Sequence, residues 1–175
     1  WKPDSGKINL VWHGNMDHTI STDAINVVAP TWFTICIQNG KTRVNTSGGD
    51  QAYVNRAHQK GYQVWAMVQS LSPGYSKLVV NSKECQDQVI PDMAAAVDTY
   101  DLDGINFDFE NMDPADQDLY TAFIARAAKV LHEHGAVAAV DVTKKKDTNN
   151  WWTSCYDRAG LGQVADYVCL MTYDQ

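Results

Sequence analysis

The sequence is short of several things at once, and each shortage removes a class of function. No apolar run approaches the roughly 20 residues of a membrane span, so a membrane partner is not expected. Basic residues are few: 14 Lys and Arg stand against 21 Asp and Glu, a formal charge of −7. That balance argues against nucleic acid or an anionic membrane surface as the main partner. The four cysteines, Cys36, Cys85, Cys155 and Cys169, form no CxxC pair, so zinc is not expected. They are read as buried or free thiols, with a disulfide between two of them as the alternative. Neither GxGxxG nor GxxxxGKS stands at the first strand–helix turn, which removes the usual nucleotide signatures. Internal repeats, low-complexity tracts and long charge runs are missing too. The first residue is Trp1 with no signal peptide before it, so the chain is expected to be cut from a longer precursor.

What is present is the make-up of a globular domain. Hydrophobic residues are 45% and charged residues 20% of 175, too apolar for disorder. The length suits one domain, residues 1–175, with a sizeable core.

Short apolar runs alternate with helical patterns. The strand-like runs are Ile8–Trp12, Val27–Ile37, Tyr62–Gln69, Gly104–Phe109, Val137–Val142 and Tyr167–Tyr173, rich in Val, Ile and aromatics as strands buried on both faces are. Asp50–Lys60, closed by Gly61, predicts a helix. Lys83–Tyr100 predicts another, N-capped by Ser82, with Pro91 expected to kink or interrupt it. Pro114–His134 is the best defined: Asp113 is the N-cap, Pro114 takes the first position, and Tyr120, Phe123, Ile124, Ala127 and Leu131 form the buried stripe. His132 and His134 fall in its last turn and read as solvated end residues, not metal ligands. A last helix is expected near Ser154–Val164, weakened by Gly160 and Gly162.

Strand and helix in alternation imply right-handed crossovers and a parallel sheet, either an open doubly wound α/β sheet or a (β/α) barrel. Six strands fall short of the eight strands and about 250 residues of a barrel. The chain stops directly after the sixth run, where a barrel sheet would keep an open edge, so a fragment or one piece of a larger domain is expected.

The chemistry concentrates in Asp103–Glu110, DGINFDFE. On a strand, Ile105, Phe107 and Phe109 share one face and Asn106, Asp108 and Glu110 the other. Three polar groups in one inward row are costly unless hydrogen-bonded or functional. Asp108 and Glu110 lie close enough that double ionisation is disfavoured and one pKa rises. Glu110, nearest the mouth, is then the general acid; Asp108 accepts hydrogen bonds or stabilises positive charge, and Asn106 donates to Asp108 and orients it.

DGINFDFE resembles the DxxDxDxE signature of glycoside hydrolase family 18, the chitinase-like hydrolases. Asp103, Asp108 and Glu110 match it; Asn106 stands where the general motif has Asp. LMTYD at 170–174 resembles the family's sixth-strand motif. INLVWHG at 8–14, VVAPTWF at 27–33, GYQVWAM at 61–67, VDVT at 140–143 and CYDRAGL at 155–161 resemble one branch, the bacterial spore-cortex and cell-wall N-acetylglucosaminidases often joined to LysM modules, in which Asn at the position of Asn106 is usual. The resemblance implies a TIM-type (β/α)8 barrel present through about its sixth strand, an extracytoplasmic setting, a polysaccharide substrate containing N-acetylglucosamine, and no metal or organic cofactor.

It also implies substrate-assisted retaining hydrolysis, an exception to the two-carboxylate schemes. The substrate's acetamido oxygen attacks the anomeric carbon. Glu110 protonates the leaving oxygen and then activates water. Asp108 holds the acetamido N–H, and Tyr173 fixes the acetamido oxygen. Asn106 supports Asp108, and Asp103 is structural. Gln69, Asp141, Met171 and Asp174, near other strand ends, are expected to line the same subsite. Trp32 either stacks on a sugar or fills the core. Trp151 or Trp152, in a polar loop, is expected to meet substrate, and Lys144–Lys146 in that loop reads as solvated. Peptidoglycan or spore cortex is the preferred substrate and chito-oligosaccharides the runner-up. The rivals are a non-catalytic sugar-binding relative of the same fold, or an assembly role through the open edge.

Overall fold

The computed structural model describes residues 6–12, 25–144 and 151–172, excluding the side chains of Trp151 and Trp152. Among the described residues eight strands form one sheet: β1 Leu10–Trp12, β2 Val27–Ala29, β3 Phe33–Gln38, β4 Lys41–Asn45, β5 Gln63–Ser70, β6 Gly104–Phe109, β7 Val137–Thr143 and β8 Tyr167–Met171. The order β1-β2-β5-β6-β7-β8 is parallel throughout. It curls into a partial TIM-type barrel of six parallel strands, with the helices on its outer face.

The run 27–37 is one strand in direction but two in hydrogen bonding. β2 and β3 both pair with β5, and the chain breaks the ladder at Pro30, which has no N–H to give. The Pro30 carbonyl is still used, accepting from Met67 N at 2.9 Å and Trp32 N at 3.0 Å. β3 then turns back through Asn39 and Gly40, at φ 52° and 73°, into antiparallel β4. Two positive φ values in a two-residue loop match the twist of a hairpin.

The helices are α1 Gln51–Gln59, α2 Pro73–Asn81, α3 Lys83–Tyr100, α4 Gln117–Glu133, α5 Trp151–Ser154 and α6 Arg158–Val164. Asp50 caps α1 by accepting from Ala52 N and Tyr53 N, and Ser82 caps α3 by accepting from Cys85 N. Pro91 does not interrupt α3, which runs unbroken over 18 residues. The missing N–H costs a single bond, while Val89, Ile90, Met93, Ala96 and Val97 bury that helix against the core. Asp113 caps Pro114–Asp116 as expected, but this first turn is 3-10, and α4 follows from Gln117. The expected helix 154–164 starts later, at Arg158; a separate turn, α5, ends at Ser154.

Alternation along the strands divides the core in two. Ile105, Phe107 and Phe109 pack outward against Tyr120 and Phe123 of α4. The inward positions make a smaller cluster of Val27, Trp65, Val137 and Ala139, flanked by Ile8, Leu10, Tyr167 and Cys169. Gly104 fits this interior because a Cβ there would stand 2.9 Å from both Trp65 Cδ1 and Val137 Cβ. On the outer face of β8, Val168 and Leu170 are exposed. All four cysteines are free thiols.

Two matching clamps tie helices to the strand starts. Asp103 Oδ2 accepts from Val64 N at 2.7 Å and pairs with His58 Nε2 at 2.8 Å. Asp166 Oδ2 accepts from Ala138 N at 2.8 Å and pairs with His132 Nε2 at 2.8 Å. His134 Nδ1 lies 2.9 Å from both oxygens of Asp98. His132 and His134 are therefore bound to carboxylates at the helix end. Asp103 has the structural place expected of it.

Candidate active site

Every inward polar group near the carboxyl ends of the strands traces to the same alternation. The register sets Met67 beside Asn106 and Gln69 beside Asp108. It sets Asp141 beside Cys169 and Thr143 beside Met171. Gln69 on β5, Asn106 and Asp108 on β6, Asp141 on β7 and Met171 on β8 thus line the interior of one sheet. Glu110 follows directly after β6 and is half-buried. Its backbone is fixed from two sides: Glu110 N donates to Ser70 O at 3.0 Å, and Tyr156 Oη donates to Phe109 O at 2.8 Å.

Asp108 is buried. Gln69 Nε2 donates to its Oδ2 at 2.9 Å. Its Oδ1 has no conventional donor among the described residues. The Glu110 side chain stands within hydrogen-bond reach. Two carboxyl groups so near each other disfavour double ionisation. Burial raises the Asp108 pKa above the ordinary carboxylate value, with the bonds to Gln69 and Glu110 opposing that rise.

Asn106 is fully buried and does not meet Asp108 in the way the strand alternation suggests. Its Nδ2 donates to Asp141 Oδ1 at 2.9 Å, and its Oδ1 accepts from Trp12 Nε1 at 3.1 Å. Trp12 Nε1 also reaches Asp141 Oδ2 at 3.1 Å. Asn106 therefore supports Asp141, and Gln69 takes the Asp108 support expected of Asn106. The reason is barrel geometry. Strands tilt and stagger, so a side chain can meet the next strand's next layer before it meets its own strand's neighbour.

Asp141 is almost completely enclosed, so it sits beneath the site instead of opening to it. Burial pushes its pKa up to about 7; the bonds from Asn106, Trp12 and Cys169 oppose this, and the charge of Asp108 adds to it. Burial, and then the Asp141 charge, raise the Cys169 thiol to about 12, so it stays protonated. Beside this network the interior opens between β1 and β8 as a cleft of about 360 Å³ lined by Leu10, Trp12, Tyr167 and Cys169.

The remaining expectations divide. Met171 is buried on the inward face of β8. Trp32 is half-buried: it stands edge-on to Tyr53 at 5.0 Å and tilted to Phe33 at 6.2 Å, against the outer core. Trp151 starts α5, but its side chain and that of Trp152 lie outside the described residues, as do Tyr173, Asp174, Lys145 and Lys146 altogether. Lys144 is exposed. Among the described residues no group of three His, Cys, Asp or Glu is placed to hold a metal ion. Sequence reasoning passed over Trp12, although its inward place on β1, two residues after Leu10, was readable from alternation.

A parallel barrel sheet with carboxyl groups gathered at its strand ends is the architecture of the barrel enzymes. The chain belongs to the glycosyl hydrolases family 18, whose family model matches residues 13–175. It is 29% identical over 130 residues to a Bacillus subtilis protein named as a sporulation-specific glycosylase, YdhD, covering 71% of this chain and 31% of that protein. The crystal structure of YdhD superposes with a TM-score of 0.75 at 25% identity, covering 83% of this chain and 49% of the other. A cortical fragment-lytic enzyme of Bacillus subtilis is 24% identical over 108 residues, covering 61% of this chain and 25% of that enzyme. A class V chitinase from Pseudomonas fluorescens shares the fold with a TM-score of 0.76 at 21% identity, covering 86% and 48% of the two chains. The chain thus spans about a third or less of these curated relatives' length and about half of the solved structures.

Proposed function

We propose that this chain carries the acid-bearing part of a retaining glycoside hydrolase that cleaves N-acetylglucosamine linkages in peptidoglycan or spore cortex. The observation that carries the reading is the Gln69–Asp108–Glu110 arrangement: a buried carboxyl, held from one side by an amide, beside a half-exposed carboxyl at the strand end. Such a pair separates its roles by environment. Glu110, open to the mouth, gives its proton to the leaving glycosidic oxygen and later takes one from water. Asp108 accepts the acetamido N–H and balances the positive charge of the ring formed when the acetamido oxygen attacks. Tyr173 belongs to the same reading as the donor to that oxygen, with Asp174 and Trp151 as further substrate contacts.

The substrate class is supported by the relatives named as a sporulation-specific glycosylase and a cortical fragment-lytic enzyme, and an extracytoplasmic site of action belongs to the same reading. Chito-oligosaccharides are the alternative, supported by the fold shared with a class V chitinase. The test is product release from cortex glycan and from chito-oligosaccharides by this chain and by its Glu110→Gln variant. Reducing N-acetylglucosamine ends released by the parent and lost in the variant are expected. Release that persists at the parental rate in the variant would remove Glu110 from the acid role, and no release by the parent from either glycan would overturn the reading for this chain.

A further inference from the structure

We propose that Asp141 is a positioning residue of this site: held by Asn106 and Trp12, it supplies from β7 the carboxyl that the DxxDxDxE pattern places at position 106, and it sets the charge that Asp108 carries. This rests on the roles of Asp108 and Glu110 given above. The hydrogen bonds around Asp141 form a closed triangle. Asn106 Nδ2 donates to Asp141 Oδ1, Trp12 Nε1 donates to Asp141 Oδ2, and the same indole N–H donates to Asn106 Oδ1. The triangle fixes the Asn106 amide, since a flip would point Nδ2 at the indole N–H. It also fits Asn and not Asp at this position. A carboxylate in place of the Asn106 amide would put two like charges at hydrogen-bond distance, and one would have to hold a proton. The pair Asn106 with Asp141 therefore keeps one carboxyl in the buried layer where two would conflict.

The titratable groups facing Asp141 are Asp108 from β6 and Cys169 from β8, while Tyr120 of α4 lies on the outer side of the sheet against Phe109. None of these is cationic. With Asp141 protonated, Asp108 can ionise beside it. Once Asp141 loses its proton, a second negative charge stands against Asp108 in a buried setting. The midpoint of Asp141, about 7, puts this change near neutrality. The site is then competent with Asp141 neutral, and its activity falls as Asp141 ionises.

Carboxyl-carbon NMR on the 13C-Asp-labelled full chain tests this without needing turnover. Asp108 is expected to show an upper titration step coincident with Asp141, and to lose that step in Asp141→Asn. An Asp108 titration unchanged in Asp141→Asn would overturn the proposal. Asp141→Asn sets one donor against another, so an exchange variant, Asn106→Asp combined with Asp141→Asn, guards against misfolding: it preserves every bond of the triangle and returns the carboxyl to β6. The exchange is expected to restore the upper Asp108 step. In glycan cleavage, Asp141→Asn is expected to lose about tenfold in kcat/KM and shift the alkaline limb upward by about half a pH unit or more, and the exchange to recover most of the loss and the parental limb. A fall in kcat/KM with no movement of the limb would mark Asp141 as structural only. A parent that cleaves no glycan would count against the proposed function, while the NMR titration would still decide the coupling of Asp141 to Asp108.

Discussion

Gln69 and Asp108 stand side by side on adjacent parallel strands, and the Gln69 amide donates to Asp108 Oδ2 at 2.9 Å. This bond does what a cation would do more strongly: it favours the ionised carboxyl in a buried setting without cancelling its charge. The Gln69 bond needs no proton on the carboxyl.

Gln69→Ala is therefore expected to raise the Asp108 pKa further above its already raised position, because the burial that lifts it is then less opposed. Losing a partner for a buried charged acceptor costs on the order of 1–3 kcal/mol, so a loss of tenfold to about a hundredfold in kcat/KM is expected. A pH–rate profile checks it. The acid limb should move to higher pH, and an unmoved limb would show that Gln69 does not set the Asp108 charge.

The two carboxylate–histidine clamps make a prediction about stability. Asp103 and Asp166 each serve one backbone N–H and one helix histidine, but their side chains are 34% and 9% exposed, respectively. Water can replace part of what Asp103 gives to Val64 N, and much less of what Asp166 gives to Ala138 N. Asp166→Ala should therefore destabilise more than Asp103→Ala, by about 2–3 against about 1 kcal/mol. Urea midpoints at constant slope check the order, and the reverse order would mean that exposure does not govern the cost.

Much of this architecture was written in local pattern. All six parallel strands and the helices Gln51–Gln59 and Lys83–Tyr100 follow from apolar runs and caps, and the alternation of Asn106, Asp108 and Glu110 against Ile105, Phe107 and Phe109 predicts which face meets the helices. The β4 hairpin carried a signal in Asn39-Gly40, but its strand, KTRVN, is short and has a single apolar residue, Val44, so no apolar run marks it. The helix Pro73–Asn81 had Ser72 and Pro73 at its start but little polar contrast along it. The Trp12–Asn106–Asp141 triangle could not be read at all. Its bonds join residues 94, 129 and 35 positions apart, and they depend on the stagger between strands, which period-two alternation does not encode.

Gly104 gives a packing test of the barrel interior. A methyl group there meets Trp65 and Val137 at 2.9 Å, closer than van der Waals contact allows, and both are walls of the inner cluster. Gly104→Ala is expected to cost about 1–3 kcal/mol by overpacking. It should also change the near-ultraviolet signal of Trp65, which stacks on Tyr167 at 5.0 Å. A variant as stable as the parent, with that signal unchanged, would show that the interior has room the packing denies.

The pH dependence of stability takes its sign from Asp141. The folded chain holds the Asp141 proton up to about pH 7, whereas the ordinary value is 3.8. Between those values the folded state binds more protons than the unfolded state, so this group's contribution is fully present below pH about 4 and is lost as pH rises through about 7. Asp108, also raised by burial, acts in the same direction. The slope is at most about 1.4 kcal/mol per pH unit for one group, so the loss from pH 5 to pH 7 amounts to a few kcal/mol at the upper bound. Melting temperatures from pH 5 to pH 8 are expected to fall for the parent and to fall less steeply for Asp141→Asn, which has no proton to lose. The difference in slope is the diagnostic quantity, because the substitution also shifts stability by a pH-independent amount through its disturbed bond to Trp12 or Asn106. Parallel curves would mean that Asp141 titrates alike in both states, and the buried carboxyl would then have to be neutralised by its hydrogen-bond donors alone.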